Sequence, residues 1–297
     1  MCQLMGMQAN TPTDFSFSFR GFRERGGRTG HHVDGWGLAF FEGRGFRLFC
    51  DSLPSALSPV ANLICAYPIK SRTVIAHVRM ATQGEVRMEN VHPFTRELWG
   101  SYWIFAHNGD VPSAKNAATN GLYATKSKQY IPVGDTDSEK AFCYFLNQLL
   151  DAFPDGRPNM ADVYVELERI WKRLCRDSGV IFNFLLGQNG ETLFAGCWPG
   201  ARPGSKTWNT LYYTTREFPF STCQLVDDDC EVDFTTVASP SDRVSVIASS
   251  PLTTNEIWYE MARGDFLAFH GGQPFSSAEE FRFHLKTKRT SPLSSPS

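Results

Sequence analysis

The stretch Met1-Cys2-Gln3-Leu4-Met5-Gly6-Met7 opens the chain, and its reading decides the rest. Leu4, Met5 and Met7 fit a short strand that would carry Cys2 at its open end. A cysteine in second place matters only if Met1 is removed. Removal leaves Cys2 with a free α-amine and a thiol on one residue. An α-amine titrates near about 7.7–8.0, so a useful fraction is unprotonated at neutral pH. It can take the thiol proton directly or through one water, a self-contained nucleophile and base. The plainer reading is a small cysteine buried near a strand start, as free cysteines commonly are. The remaining residues decide between the two.

The composition narrows the classes. A chain of 297 residues with 42 % hydrophobic content suffices for one large core or two modest domains. A net charge of −2 and a pI near 6.4 argue against a nucleic-acid partner, which needs a basic stripe. No apolar run reaches the roughly 20 residues that span a bilayer, so no membrane association is expected. The N-terminus lacks a basic segment followed by an apolar one, so no signal peptide is read. The eight cysteines are scattered without a C-x-x-C, unlike a disulfide framework or a zinc site. The reducing cytoplasm is the expected compartment, with no metal. Aromatic content of 13 % suits a sheet-rich core.

Outward from the first strand, residues 10–32 read as loop. Asp34-Gly35-Trp36-Gly37-Leu38-Ala39 leads into a strand, and Glu42-Gly43-Arg44-Gly45 turns it into a second, Phe46 to Cys50. Ser58-Pro59 is a helix start, with Ser at the N-cap and Pro at the first helical position. Leu63, Ile64 and Tyr67 follow at helical spacing until Pro68. Thr73 to Val78 is a strand, and Arg79 leaves its end. There it is either a solvated charge or a bidentate clamp for a carboxylate. Tyr102 to Ala106 is a further strand, running into His107-Asn108-Gly109. Asn-Gly after a strand usually marks a turn. The alternative is an oxyanion hole, with the Asn108 amide and the Gly109 N–H as donors.

Thr136 to Glu139 matches a capping box, with Phe142, Phe145, Leu146 and Leu149 striping the helix behind it. Asp137 then either complements the helix dipole or pairs with a substrate ammonium. A second helix runs from about Val163 to Leu174. The second half reads as strands: Val180 to Leu186, Thr192 to Cys197, Thr210 to Thr215, Val244 to Ser249 and Phe266 to His270. Gly187-Gln188-Asn189-Gly190 signals a hairpin between the first two. Asp227-Asp228-Asp229 reads as an exposed acidic turn, and Lys286 to Ser297 as a frayed end. The expected organisation is one domain over 1–284 and a tail over 285–297.

Five segments in order, the first carrying the cysteine in second place, resemble the class II glutamine amidotransferases, which belong to the N-terminal nucleophile hydrolases. They are Met1-Cys2, Asp34-Gly35-Trp36-Gly37-Leu38-Ala39, His77-Val78-Arg79-Met80-Ala81-Thr82, His107-Asn108-Gly109 and Thr136-Asp137-Ser138-Glu139. The resemblance implies an α+β fold, a four-layer α-β-β-α sandwich of two antiparallel sheets. It makes Cys2 the nucleophile and its α-amine the base. Arg79, helped by Thr82, would hold the glutamine α-carboxylate, and Asp137 the α-ammonium. Asn108 and Gly109 would form the oxyanion hole. No cofactor is implied.

The chain departs from members that make amino sugars. Met80 stands for an aromatic, Gln83 for a histidine, and His31-His32 for an Arg-Gly pair. The resemblance therefore carries the glutamine grip and not the acceptor half. No Rossmann or P-loop fingerprint accompanies it, so ammonia is expected to reach a separate synthase or be released. The substrate is glutamine or another γ-glutamyl compound, such as a peptide or thiol. A chain that retains Met1 would instead be an inactive binding module. The aromatic content is compatible with a homodimer.

Overall fold

The computed structural model describes residues 2–80, 85–115 and 125–290, with side chains as far as Thr287. The first half comprises β1 (Gln3–Asp14), α1 (Ser16–Glu24), β2 (Trp36–Glu42), β3 (Gly45–Asp51), α2 (Pro59–Ala66), β4 (Lys70–Val78), β5 (Phe94–Leu98), β6 (Ser101–Asp110), α3 (Pro112–Lys115) and α4 (Asp137–Ala152). There follow α5 (Met160–Leu174), β7 (Ile181–Gln188), β8 (Thr192–Cys197), β9 (Tyr212–Glu217), β10 (Thr222–Gln224), β11 (Glu231–Asp233) and α6 (Phe234–Val237). The chain closes with β12 (Arg243–Ala248), β13 (Tyr259–Glu260), β14 (Asp265–His270), β15 (Gln273–Phe275) and α7 (Ala278–Thr290). No helix among the described residues is long and apolar enough to cross a membrane.

Two antiparallel sheets face each other. One has seven strands in the order β13-β9-β12-β1-β4-β2-β3, and the other six in the order β15-β14-β8-β7-β6-β5. Period-two alternation in β1 explains why both faces of the first sheet are covered. Leu4 points into the space between the sheets, with Ile75, Ile104, Leu185 and Ile247. Met5, Met7 and Ala9 point the other way, against Phe19 and Phe22 of α1 and Ile64 of α2. On the far side, Phe142 and Phe145 of α4, Trp171 of α5 and Phe281 of α7 cover Phe105, Phe182 and Phe184. Each such buried aromatic contributes about 1.5–3 kcal/mol. The four layers expected from the resemblance are therefore present.

Several local readings change. Residues 10–32 are not all loop: β1 continues to Asp14 and α1 follows. The helical signal is Phe15, Phe19 and Phe22, buried on one face and masked by intervening arginines. His107 to Asp110 stay in β6 rather than turning, because each pairs with β7 as far as Asp110↔Ile181. The hairpin does form, with Asn189 and Gly190 both at positive φ, at 52° and 72°. β5 and α7 were absent from the sequence reading. α7 straddles the expected boundary at residue 284, and residues 291–297 lie outside the described part. The acidic turn is tied down: Asp227 accepts from Arg25 Nε at 2.8 Å and Asp228 from Arg20 Nε at 3.2 Å.

Candidate active site

β1 is the middle strand of its sheet, and its N-terminal end brings Cys2 alongside the chain leaving β4. Gln3 pairs with Val78, so Cys2 meets Arg79 and Met80. The Cys2 sulfur lies 3.4 Å from the Met80 N–H, which donates to it, and 3.5 Å from the Met80 carbonyl. The Arg79 backbone is fixed by Gly35, whose carbonyl accepts from Arg79 N at 2.8 Å, and by Asp34, whose N–H donates to Arg79 O at 3.2 Å. Only glycine suits position 35. Its φ is +102°, and a Cβ there would lie 2.9 Å from the Asp51 carbonyl. The Asp34-Gly35 motif thus holds Arg79 in place.

Gly109 and Asp137 arrive from the second sheet and its covering helix. A Cβ on Gly109 would stand 1.9 Å from the Ile181 carbonyl across the β6–β7 ladder, so the strands can pair there only around a glycine. Asp137 opens α4. Its Oδ2 accepts from Val111 N at 2.8 Å, and its Oδ1 from Ser138 N at 3.0 Å. The carboxylate therefore staples the end of β6 to the start of α4. Its two oxygens keep further acceptor capacity. The capping box closes on one side only. Thr136 Oγ1 accepts from Glu139 N, but Glu139 turns away to Gly134 N at 2.7 Å and Arg96 Nη2 at 2.5 Å.

Cys2, Arg79, Gly109 and Asp137 line one small cavity of about 40 Å³, with Met80, His92, His107, Thr136, Ser138 and Arg202. A larger cleft of about 720 Å³ opens near Gln8, Arg72 and Arg282, well along β1 from the thiol, and no cysteine lines it among the described residues. Asn108 does not line the small cavity. It is buried between the sheets, where its Nδ2 donates to Ser249 Oγ at 3.3 Å, and Oδ1 finds no partner among the described residues. Ser249 Oγ also accepts from Leu4 N at 2.9 Å, so one hydroxyl joins Asn108 to the strand that bears Cys2. Thr82 lies outside the described residues.

Enclosure sets the electrostatics. Burial pushes the Cys2 thiol up, and the Met80 N–H, Arg202 and Arg79 pull it part of the way back. The thiol is therefore protonated at neutral pH and needs a base. None of the surrounding imidazoles carries a charge there. Burial pushes His77 down to about 3, His92 well below its usual range, and His107 down as well, in spite of Asp137. His107 bonds Ser138 Oγ through Nδ1 at 2.8 Å, whereas the His77 and His92 rings lie 4.2 Å apart at 32°, and the His92 nitrogens find no hydrogen-bond partner among the described residues. The sequence reading missed His92, Ser249 and Arg202. Arg202 sits in a Pro- and Gly-containing loop with no motif around it, so no sequence signal pointed to it.

The comparisons agree with this architecture. The family model for class II glutamine amidotransferases matches residues 1–293. The Escherichia coli protein named "Putative glutamine amidotransferase YafJ" is 45 % identical over 273 residues, 92 % of this chain and 99 % of that one. A Pseudomonas aeruginosa crystal structure described as a "predicted glutamine amidotransferase" is 38 % identical, with a TM-score of 0.68 over 93 % of this chain and 100 % of that one. The glutamine phosphoribosylpyrophosphate amidotransferase of Bacillus subtilis, at 15 % identity, shares the fold, with a TM-score of 0.56 over 93 % of this chain and 49 % of that one. Sheet order, strand-end motifs and these matches together place the chain in the class II glutamine amidotransferases.

Proposed function

We propose that this protein is a glutamine amidohydrolase, which releases glutamate and ammonia through a γ-glutamyl thioester on Cys2. The observation that supports this most is the shared cavity of Cys2, Arg79, Gly109 and Asp137, assembled from four separate segments. Glutamine offers a carboxylate, an ammonium and a side-chain amide. Arg79 and Asp137 supply one charge of each required sign, and each charge-assisted contact contributes about 1.5–3 kcal/mol.

With Met1 removed, the Cys2 α-amine takes the thiol proton and the sulfur attacks the amide carbon. The carbonyl oxygen becomes an oxyanion, held by the Gly109 N–H; Asn108, which the resemblance names as the second donor, stands behind the cavity wall with one amide hydrogen on Ser249. One such donor is worth about 2.7–4 kcal/mol. The carbon–nitrogen bond then breaks, and the α-ammonium returns its proton to the departing ammonia. Water, deprotonated by the same amine, cleaves the thioester and restores the thiol. The ammonia passes to a separate synthase or is released.

The test is glutamate release from glutamine and from γ-glutamyl peptides by the processed protein, with Cys2→Ala as control. Turnover that Cys2→Ala abolishes is expected. Absence of turnover by protein shown to lack Met1 would leave only a binding role.

A further inference from the structure

Arg202 is a second guanidinium at the thiol, and the grip on glutamine does not use it. Its Nη2 donates to the Gly109 carbonyl at 2.6 Å. That places the guanidinium beside the proposed oxyanion hole, at the reacting end of the substrate. Its Nε is buried and has no hydrogen-bond partner among the described residues, and no carboxylate there comes within ion-pair distance. The loop that carries it is anchored. Gly200 and Asn209 exchange backbone bonds at 3.1 and 2.9 Å, and Asn183 of β7 donates to Asn209 O at 3.2 Å. Asn183 is the register partner of Asn108, so the arginine is held against the same ladder as the oxyanion donors.

Charge counting gives this arginine a role. Among the described residues, the charged side chains lining the cavity are Arg79, Arg202 and Asp137. Two guanidiniums against one carboxylate leave one positive charge over. Glutamine, a zwitterion with no net charge, satisfies Arg79 and Asp137 and leaves Arg202 facing a neutral leaving group. A γ-glutamyl amino acid has a second carboxylate, on the amine half, and a net charge of −1 to match. A guanidinium whose Nε has no partner among the described residues, and whose Nη2 spends one hydrogen on Gly109, still has donors for a carboxylate.

We propose that Arg202 binds a carboxylate on the leaving amine, so that the site favours γ-glutamyl amino acids or peptides over free glutamine. This rests on Cys2 being the acyl acceptor described above. The step balances as for glutamine. The sulfur–carbon bond forms, the isopeptide carbon–nitrogen bond breaks, the α-ammonium gives its proton to the amino acid that leaves, and water then frees glutamate and the thiol.

The experiment compares γ-glutamylglycine, γ-glutamylglycinamide and glutamine as substrates of the processed full chain, as wild type, Arg202→Gln and Arg202→Lys. The two γ-glutamyl compounds differ chiefly by the carboxylate. The wild type is expected to favour γ-glutamylglycine over its amide by about tenfold or more in kcat/KM. Arg202→Gln brings that ratio close to one, and Arg202→Lys, a charge without the planar fork, keeps part of it. A wild-type ratio near one overturns the proposal without recourse to any variant. A ratio unchanged in Arg202→Gln overturns it too. Glutamine turnover with a ratio near one leaves the Cys2 assignment standing and removes only Arg202, whereas no turnover of any of the three removes both.

Discussion

Replacing Asp137 by asparagine isolates one charge at nearly constant volume. The carboxylate has two jobs in the structure, since it accepts from Val111 N at 2.8 Å and from Ser138 N at 3.0 Å, and is proposed to hold the substrate ammonium. Asparagine has one acceptor oxygen, so its amide nitrogen must face one of those two N–H donors. A buried donor left in that way costs about 1–3 kcal/mol of stability. Loss of the charge-assisted contact with the ammonium costs a further 1.5–3 kcal/mol of binding, or roughly 10- to 150-fold in kcat/KM. Most of it falls on KM, because the contact exists in the ground state as well as the transition state. The assay compares glutamine with glutaramate, which is glutamine without its α-ammonium. The wild type is expected to favour glutamine strongly, and Asp137→Asn to turn over the two about equally. Folding damage would lower both substrates together, so the ratio reports the contact alone. A variant that still prefers glutamine by the wild-type factor would refute the assignment.

Three further outcomes are expected. Gly109→Ala should cost about 3 kcal/mol or more, since its Cβ would lie 1.9 Å from the Ile181 carbonyl; thermal unfolding checks this, and an unchanged midpoint contradicts it. Ser249→Ala removes the acceptor for both Leu4 N and Asn108 Nδ2; it should destabilise by about 1–3 kcal/mol and lower kcat more than it changes KM. Urea melts as a function of pH should show stability fully present above about pH 6.5, where both folded and unfolded histidines are neutral. As pH falls toward the depressed value of about 3 for His77, the unfolded chain binds protons that the folded one refuses. Stability then declines by up to about 1.4 kcal/mol per pH unit for each of His77, His92 and His107, and His77→Gln should flatten that slope.

What was legible in the sequence is what local chemistry dictates. Alternating apolar runs located most of the strands, Ser58-Pro59 and Thr136 marked the starts of α2 and α4, and Asn189-Gly190 marked the hairpin, because caps and turns answer to residues a few positions away. α1 escaped because Phe15, Phe19 and Phe22 are interleaved with Arg20 and Arg23, which pair with the distant Asp228 and with Glu24 and Asn62. Asn108-Gly109 looked like a turn because the sequence carries no sign of Asn183 and Phe182 pairing opposite it. Cys2, Arg79, Gly109 and Asp137 could be named because each sits at a strand or helix end within a short motif. Arg202, Ser249 and His92 could not, since tertiary packing alone brings Arg202 and His92 to the cavity and Ser249 to Asn108 and Leu4.

The central claim is that Cys2 becomes acylated only after it has become the first residue. The direct measurement is intact mass and peptide mapping of protein quenched in acid during glutamine turnover. The expected result is a chain without Met1 that carries one γ-glutamyl group on the Cys2 sulfur, absent from Cys2→Ala. Turnover of glutamine by a chain that retains Met1, or with the acyl group on any other residue, would contradict it.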